Sequence, residues 1–340
     1  MPNTEHREGF IPNYNIRTDL ALEAHEIIQN RGGAAQIPGI FAETHRIDGI
    51  TISRIKVENE AAALQLGKAL GNYITLDAPG MRVPNTDLQE KLSEVLAEEL
   101  RRFLPLPSNL EETVLVVGLG NWNVTPDSLG PKVIEDLLVT RHAFETQSSS
   151  LGEGFRSVCA ISPGVLGITG IETGEIIQAL VQRVKPALVI AIDALAASRL
   201  ERLHTTIQIA DTGISPGSGV GNNRLGVTKE TTGVPVTAIG VPTVVDASTI
   251  AGAAMEAMIK SFKREAAGME ALGLNLERMD WEEKQMLISE VLNPYAGGRL
   301  MVTPKEIDTF IDEISLTIAA GINAALHPKV HSADPGKFLQ

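Results

Sequence analysis

Residues 113–121 read TVLVVGLGN, an apolar run that ends in a glycine-rich turn, and an amphipathic segment follows at 126–139. Two further apolar runs occupy 157–161 and 187–192, with a segment of helical periodicity between them at 172–184. Continuous apolar strands that alternate with amphipathic helices are typical of βαβ units, whose strands are covered on both faces. We therefore predict an α/β fold with a doubly wound, mostly parallel sheet and helices on both faces.

The same patterns extend outward from this region. Strands are predicted at 50–57, 73–77, 206–210 and 234–239, and helices at 58–70, 86–103, 249–264, 281–292 and 304–325. The helix at 86–103 opens with Thr86 as its predicted N-cap and Gln89 three residues later, which is the spacing of a capping box. Residues 1–19 are polar and lack a periodic apolar pattern, so they are predicted to lie outside the core. Residues 20–340 are predicted to form a single domain.

Composition excludes several classes of function. The formal net charge of -13 would repel a nucleic-acid backbone or an anionic membrane, so neither is expected as a direct partner. A single cysteine, Cys159, rules out an internal disulfide framework or a cysteine-based zinc cage and fits a reducing cytoplasm. We find no signal peptide, and no apolar stretch reaches the roughly 18 residues of a membrane span. A soluble protein that acts on a protein or a small molecule is expected.

Two aspartates follow the ends of central strands. Asp127 lies after the turn that closes the strand at 114–117, and Asp193 directly follows the strand at 188–192. Ligands of such sheets bind beyond the carboxyl ends of the strands. If the two strands are neighbours, as in a flavodoxin-like order, both carboxylates project from one edge and meet.

Two carboxylates within about 3 Å share one proton and titrate as a pair. The ionised member can remove a proton from water while the protonated member stabilises the oxyanion that forms at a peptide carbonyl. Such a pair needs neither a metal nor a cofactor. We therefore predict Asp127 and Asp193 as candidate catalytic residues for peptide hydrolysis.

Both aspartates also have purely structural interpretations. Asp127 follows Thr125 and Pro126 at a predicted helix start, where an acidic side chain complements the helix dipole. Asp193 is a candidate N-cap for a helix at 194–200. Because a helix N-terminus favours an ionised carboxylate, Asp193 is the better candidate for the protonated partner.

Rival motifs are incomplete. The dinucleotide-binding pattern that starts at Gly118 and Gly120 requires a third glycine where Asn123 stands. The glycine-rich segment 217–221 is predicted to be a loop, and the seven histidines lack ligand spacing. A non-catalytic, nucleotide-binding α/β protein that uses the turns at Gly118 and Gly217 remains an alternative.

Longer motifs show a family resemblance. The segments that carry it are IRTDLA at 16–21, YITLDA at 73–78, GLGN at 118–121 with TPDSLG at 125–130, IDALA at 192–196, and DTGI at 211–214 through GNNR at 221–224. Together they resemble the germination protease family over nearly the whole chain.

This resemblance implies an atypical aspartic endopeptidase that begins the degradation of small acid-soluble spore proteins during germination. It maps the two essential aspartates of the family onto Asp127 and Asp193. It also implies a self-processing zymogen, a homotetramer, no cofactor, and a location in the cytoplasm of the forespore and the spore core. The family's fold is similar to that of hydrogenase maturation peptidases, which bind metal, so a metal-dependent maturation-type peptidase is a second alternative.

The zymogen expectation points to one bond. The residues Thr18-Asp19-Leu20-Ala21 resemble the acidic, hydrophobic, alanine sequence that the family cleaves in its substrates. We predict self-cleavage between Asp19 and Leu20, which makes residues 1–19 a propeptide. The alternative is an ordinary helix start in which Asp19 caps a helix at 20–29.

Overall fold

The computed structural model describes residues 18–32, 37–146, 153–214, 225–265, 288 and 300–330. The glycine-rich segment 217–221 and, apart from Ile288, the predicted helix at 281–292 lie outside these residues. The chain divides into two compact units, one of 18–246 with 301–340 and the other of 1–17 with 247–300. The division into a propeptide and a single domain at 20–340 stays a prediction.

One sheet forms the centre of the unit that contains residues 18–246. Its described strands are β1 (Ile40–Ile47), β2 (Ile50–Val57), β3 (Gly71–Asp77), β4 (Val114–Gly118), β5 (Val158–Ile161), β6 (Leu188–Ala197), β7 (Thr206–Ala210), β8 (Val236–Asp246) and β9 (Met301–Val302). Their order is β1-β2-β3-β7-β8-β6-β4-β5, with β9 paired to β8.

The sheet is mixed, and the prediction of a mostly parallel sheet is wrong. Strands β8, β6, β4 and β5 form a parallel section, whereas every pairing from β1 through β3 and β7 to β8, and that of β9, is antiparallel. A tight turn at Asp48 and Gly49, both with positive φ, joins β1 to β2, and such a turn forces antiparallel pairing. The connection from β6 to β7 spans only 198–205, which is too short for the dozen or so residues of a parallel crossover.

Helices surround this sheet. Those described in the same unit are α1 (Ala21–Gly32), α2 (Glu60–Leu66), α3 (Thr86–Phe103), α4 (Leu129–Glu135), α5 (Arg141–Glu145), α6 (Leu166–Thr169), α7 (Thr173–Val184), α8 (Lys229–Thr232) and α10 (Ile307–Leu326). The other unit contains α9 (Ala247–Glu265), whose Ala247 N–H donates to the Leu300 carbonyl at 2.8 Å.

The main core lies between the sheet and the helices α3 and α10. The predicted apolar face of α3 is confirmed, since Leu92, Leu96 and Leu100 are fully buried there. The N-cap is Asn85 and not Thr86, because the Asn85 side chain accepts the Leu88 N–H at 3.1 Å. Helix α10 is long and apolar enough to span a membrane by length and composition alone. Most of it is buried against α3 and α4, as is typical of a core helix.

Candidate active site

Two glycines bring Asp127 to the end of β4. A Cβ atom at Gly118 would lie 2.3 Å from the Gly130 carbonyl oxygen, so the close approach of α4 to the strand requires glycine there. Gly120 has a φ of +115°, and a Cβ atom on it would lie 1.9 Å from the Asp127 carbonyl oxygen. That same oxygen accepts the Asn121 N–H at 3.0 Å. The glycines therefore shape the turn that carries Asp127.

Asp127 lies in a short turn and not in the following helix. It ends the 3-10 turn Thr125–Asp127, where its N–H donates to the Val124 carbonyl at 2.7 Å, and α4 begins only at Leu129. The predicted helix at 126–139 is thus shorter than expected. Asp127 is partly exposed toward the space above the sheet.

Asp193 is an interior residue of β6. The predicted helix at 194–200 is wrong, because β6 continues to pair with β8 through Ala197. This pairing satisfies the backbone groups that a helix would otherwise use. The Asp193 carboxylate accepts the Ala194 N–H at 2.9 Å, and the residue is 6% exposed.

Both aspartates line one cavity of about 770 Å³. Strands β4 and β6 are neighbours, and the Leu119 N–H donates to the Ile192 carbonyl at 2.8 Å just before Asp193. The predicted adjacency of the two strands is therefore confirmed. Other lining residues come from the end of α2, from β7, from β8 and from β9: Lys68, Gln208, Gly240 and Met301.

Asp19 also lines this cavity. Residues 18–23, here called the N-terminal strap, lie along the last residues of β6: the Asp19 N–H donates to the Ala196 carbonyl at 3.0 Å, and the Ala196 N–H donates to the Asp19 carboxylate at 2.8 Å. Loss of water around the carboxyl raises the pKa of Asp19, against the opposing effects of the Ala196 N–H and the Lys68 charge. The alternative that Asp19 caps a helix at 20–29 is wrong, because its carboxylate bonds to β6 and α1 begins at Ala21.

Gln208 of β7 holds the backbone on both sides of the Asp19–Leu20 bond. Its side-chain amide donates to the Asp19 carbonyl at 3.0 Å and accepts the Ala21 N–H at 2.6 Å. Leu20 and Ala21 are fully buried. Cleavage of this bond stays a prediction, but the bond lies beside the cavity that Asp127 and Asp193 line.

Two further charged residues fix the N-terminal strap. The Lys68 ammonium donates to the Thr18 carbonyl at 2.8 Å; burial lowers the pKa of Lys68, and the charges of Asp19 and Glu23 oppose this effect. Glu23 is fully buried, and its carboxylate accepts the N–H and the hydroxyl of Ser198, both at 2.7 Å. The strap is therefore attached both to α2 and to the end of β6.

Sequence reasoning missed Lys68, Gln208 and Glu23. A glutamine inside the apolar strand TIQIA at 206–210 is a signal that could have identified Gln208, since a buried amide needs partners. Lys68 follows an ordinary helix end at Gly67, and Glu23 lies in a first helical turn. Nothing in the sequence around Lys68 or Glu23 distinguishes either residue from a charged residue on the solvated surface.

Metal ligands do not cluster in the part of the chain that the structure describes. Within it, no group of three or more His, Cys, Asp or Glu side chains is arranged to hold an ion. Cys159 is partly buried in β5, where burial raises the pKa of its thiol, as expected of a packing residue rather than a nucleophile.

Comparison with known proteins identifies close relatives. The germination protease family model matches residues 21–277 and 269–339. A germination protease of Caldanaerobacter subterraneus is 51% identical, over 95% of this chain and 98% of its own. The germination protease of Clostridium tetani is 48% identical, over 96% of this chain and 99% of its own length. That of Bacillus cereus strain AH187 is 46% identical, over 96% of this chain and 97% of its own length.

Proposed function

Because the chain belongs to the germination protease family, and is therefore a peptidase that acts in spore germination, we propose that it is an aspartic-type endopeptidase with Asp127 and Asp193 as its catalytic pair. The observation that carries this proposal is that both residues line one cavity, Asp127 after the end of β4 and Asp193 just past the last residue that β6 pairs with β4. A cavity of about 770 Å³ has room for part of an extended peptide beside the pair.

We assign different roles to the two carboxylates. Asp193 is buried, whereas Asp127 is partly exposed, and an ionised carboxylate is costly to bury. Asp193 therefore carries the shared proton and donates a hydrogen bond to the scissile carbonyl. Asp127 removes a proton from the attacking water, whose oxygen bonds to the carbonyl carbon, and then gives this proton to the leaving amine as the C–N bond breaks.

Substrate, processing and assembly belong to the same proposal. The family resemblance supports small acid-soluble spore proteins as substrates, a homotetramer, and action in the cytoplasm of the forespore and spore core. It also supports a zymogen that cleaves itself between Asp19 and Leu20. The contacts of the N-terminal strap support this last point, because they hold Asp19 on the wall of the cavity that both aspartates line.

Cleavage of a spore-protein peptide tests the catalytic pair. We expect Asp127→Asn and Asp193→Asn each to lower kcat/KM by about 10² to 10⁴-fold, since each removes a proton-transfer group. Asp87→Asn, at an exposed position of α3, is the matched control. Full activity in either active-site variant would exclude the pair, and loss of wild-type activity with a chelator would favour the metal-dependent alternative.

Processing and assembly are tested on the purified full chain. After acidic incubation, mass spectrometry should find a new N-terminus at Leu20 in the wild type and an intact chain in Asp193→Asn. An intact wild type under every condition would exclude self-cleavage. Light scattering should give four times the 36.4 kDa mass of one chain, and the mass of a single chain would exclude the tetramer.

A further inference from the structure

We infer that Lys68, Gln208 and the backbone N–H of Ala196 form a substrate subsite for an acidic residue on the amino side of the cleaved bond. In the uncleaved chain, Asp19 occupies this subsite. The inference rests on the proposed function, because it identifies the residues with which the same cavity selects its peptide. Lys68 is proposed as the specificity-determining residue and Gln208 as a positioning residue.

The backbone contacts define how a peptide lies in the subsite. The strap is held by the Lys68 ammonium at the Thr18 carbonyl, by Gln208 at the Asp19 carbonyl, and again by Gln208 at the Ala21 N–H. None of these three contacts depends on a side chain of the strap. A separate extended peptide can therefore make all of them, with any residues at those positions.

The side chain of Asp19 makes the contact by which the subsite selects an acidic residue. Its carboxylate accepts the Ala196 N–H at 2.8 Å, and the Lys68 charge acts on it. A neutral amide of the same shape could still accept the Ala196 N–H through its oxygen, but it would lose the charge interaction with Lys68. Because the subsite is partly buried, solvent screens this charge interaction less than it would at the surface.

The position of the subsite fits catalysis as well as binding. Asp19, Lys68 and Gln208 line the same cavity as Asp127 and Asp193. The Gln208 amide already donates to the Asp19 carbonyl, the group that would become tetrahedral. A residue that only stiffened the N-terminal strap would not need to contact the carbonyl of the bond to be cleaved.

Two peptides test the inference on the full chain after it has processed itself at Asp19, because the strap of the uncleaved chain already fills the subsite. One has the sequence of residues 14–24, YNIRTDLALEA, and the other has asparagine at the position of Asp19. We expect the wild type to cleave the Asp peptide at least about 10-fold better, by kcat/KM, than the Asn peptide. Lys68→Met should lower this ratio to near one and Lys68→Arg should retain most of it, whereas Lys229→Met, at an exposed position, should leave it unchanged.

The ratio of the kcat/KM values for the two peptides distinguishes a role of Lys68 in specificity from a purely structural role. If Lys68→Met lowers the cleavage of both peptides by the same factor, Lys68 is only structural and the inference is wrong. A wild type that cleaves both peptides equally also overturns it, while leaving the catalytic pair intact. A self-processed wild type that cleaves neither peptide contradicts the proposed function and the subsite together.

Hydrogen exchange gives a readout without catalysis. In the full-length Asp193→Asn chain, adding Asp19→Asn or Lys68→Met should speed exchange of the Ala196 and Ala21 amides by at least about tenfold, because each change weakens the attachment of the strap. Gln208→Met removes both the donor to the Asp19 carbonyl and the acceptor of the Ala21 N–H, so it should speed exchange at Ala21 as well. Unchanged exchange in all three variants would overturn the subsite whatever the activity.

Discussion

Gly120 connects backbone conformation to the position of Asp127. With a φ of +115° and the Asp127 carbonyl oxygen 1.9 Å from where a Cβ atom would lie, a side chain at this position is excluded both by strain and by space. We expect Gly120→Ala to move the turn that carries Asp127, to lower kcat/KM by more than about 10²-fold, and to destabilise the fold by about 1–3 kcal/mol. Peptide cleavage and urea unfolding measure the two effects.

Gly167 provides the control for Gly120. It lies in the short helix α6, and nothing lies within 4 Å of a Cβ atom built on it. Gly167→Ala should leave activity unchanged and alter stability by less than about 1 kcal/mol. Equal behaviour of the two alanine variants would mean that the turn at Gly120 does not position Asp127.

The two central aspartates were predictable for a physical reason. Both follow runs of buried apolar residues, so the hydrophobic pattern locates the end of β4 before Asp127. The same pattern ends β6 too early, at Ile192, because Asp193 is polar although the strand continues through Ala197. The strap contacts were not predictable, because the partners of Asp19 are Ala196, 177 residues away, and Lys68. Only tertiary packing decides that the Asp19 carboxylate bonds to a strand and does not cap its own helix.

At the scale of the elements, α3 and α10 pack closely because Gly321 faces Leu96. A Cβ atom at Gly321 would lie 2.7 Å from Leu96 Cδ2, so a methyl group requires Leu96 to move and a branched side chain requires the helices to separate. We expect Gly321→Val to destabilise the protein by about 1–3 kcal/mol through overpacking. Urea unfolding, compared with Leu316→Ala at an exposed position of α10, checks this. An equal or smaller cost for Gly321→Val would contradict the close packing.

The elements themselves were predicted better than their arrangement. Strand β2 at 50–57 and strand β7 at 206–210 have the predicted bounds, because apolar runs between polar turns define a strand locally. The direction of pairing depends instead on connections. The Asp48-Gly49 turn is a strong hairpin signal. Strand β1, which this turn joins to β2, is not among the predicted strands because its residues are mostly exposed and lack an apolar pattern.

At the scale of the whole molecule, two buried histidines make the stability depend on pH. His327 is fully buried; its Nδ1 accepts the Arg156 N–H at 3.1 Å, which leaves the proton on Nε2, 3.2 Å from the Leu138 carbonyl. His204 is 3% exposed, and its ring stacks on Phe310 with a centroid distance of 4.6 Å. Burial lowers the pKa of each histidine from 6.5 to about 4.

A lowered histidine pKa costs stability in acid. Between about pH 6.5 and pH 4 the unfolded chain binds a proton at each of these histidines that the folded chain does not bind, so each contribution favours unfolding as the pH falls through this window. Below about pH 4 both states are protonated and the penalty is complete. By linkage, the full pKa shift lowers the free energy of unfolding in acid by roughly 3 kcal/mol for each histidine.

His204→Asn isolates one of these contributions. Asparagine tolerates the φ of +61° at this position and does not titrate, so the variant lacks the penalty of one histidine whatever its stability at neutral pH. Urea unfolding at about pH 7 and about pH 4.5 should show that the wild type loses more stability than the variant between the two conditions, by about 1–3 kcal/mol. Parallel losses in the two proteins would mean that His204 becomes protonated within the fold, and therefore that its ring is reached by water or by an anionic partner in solution.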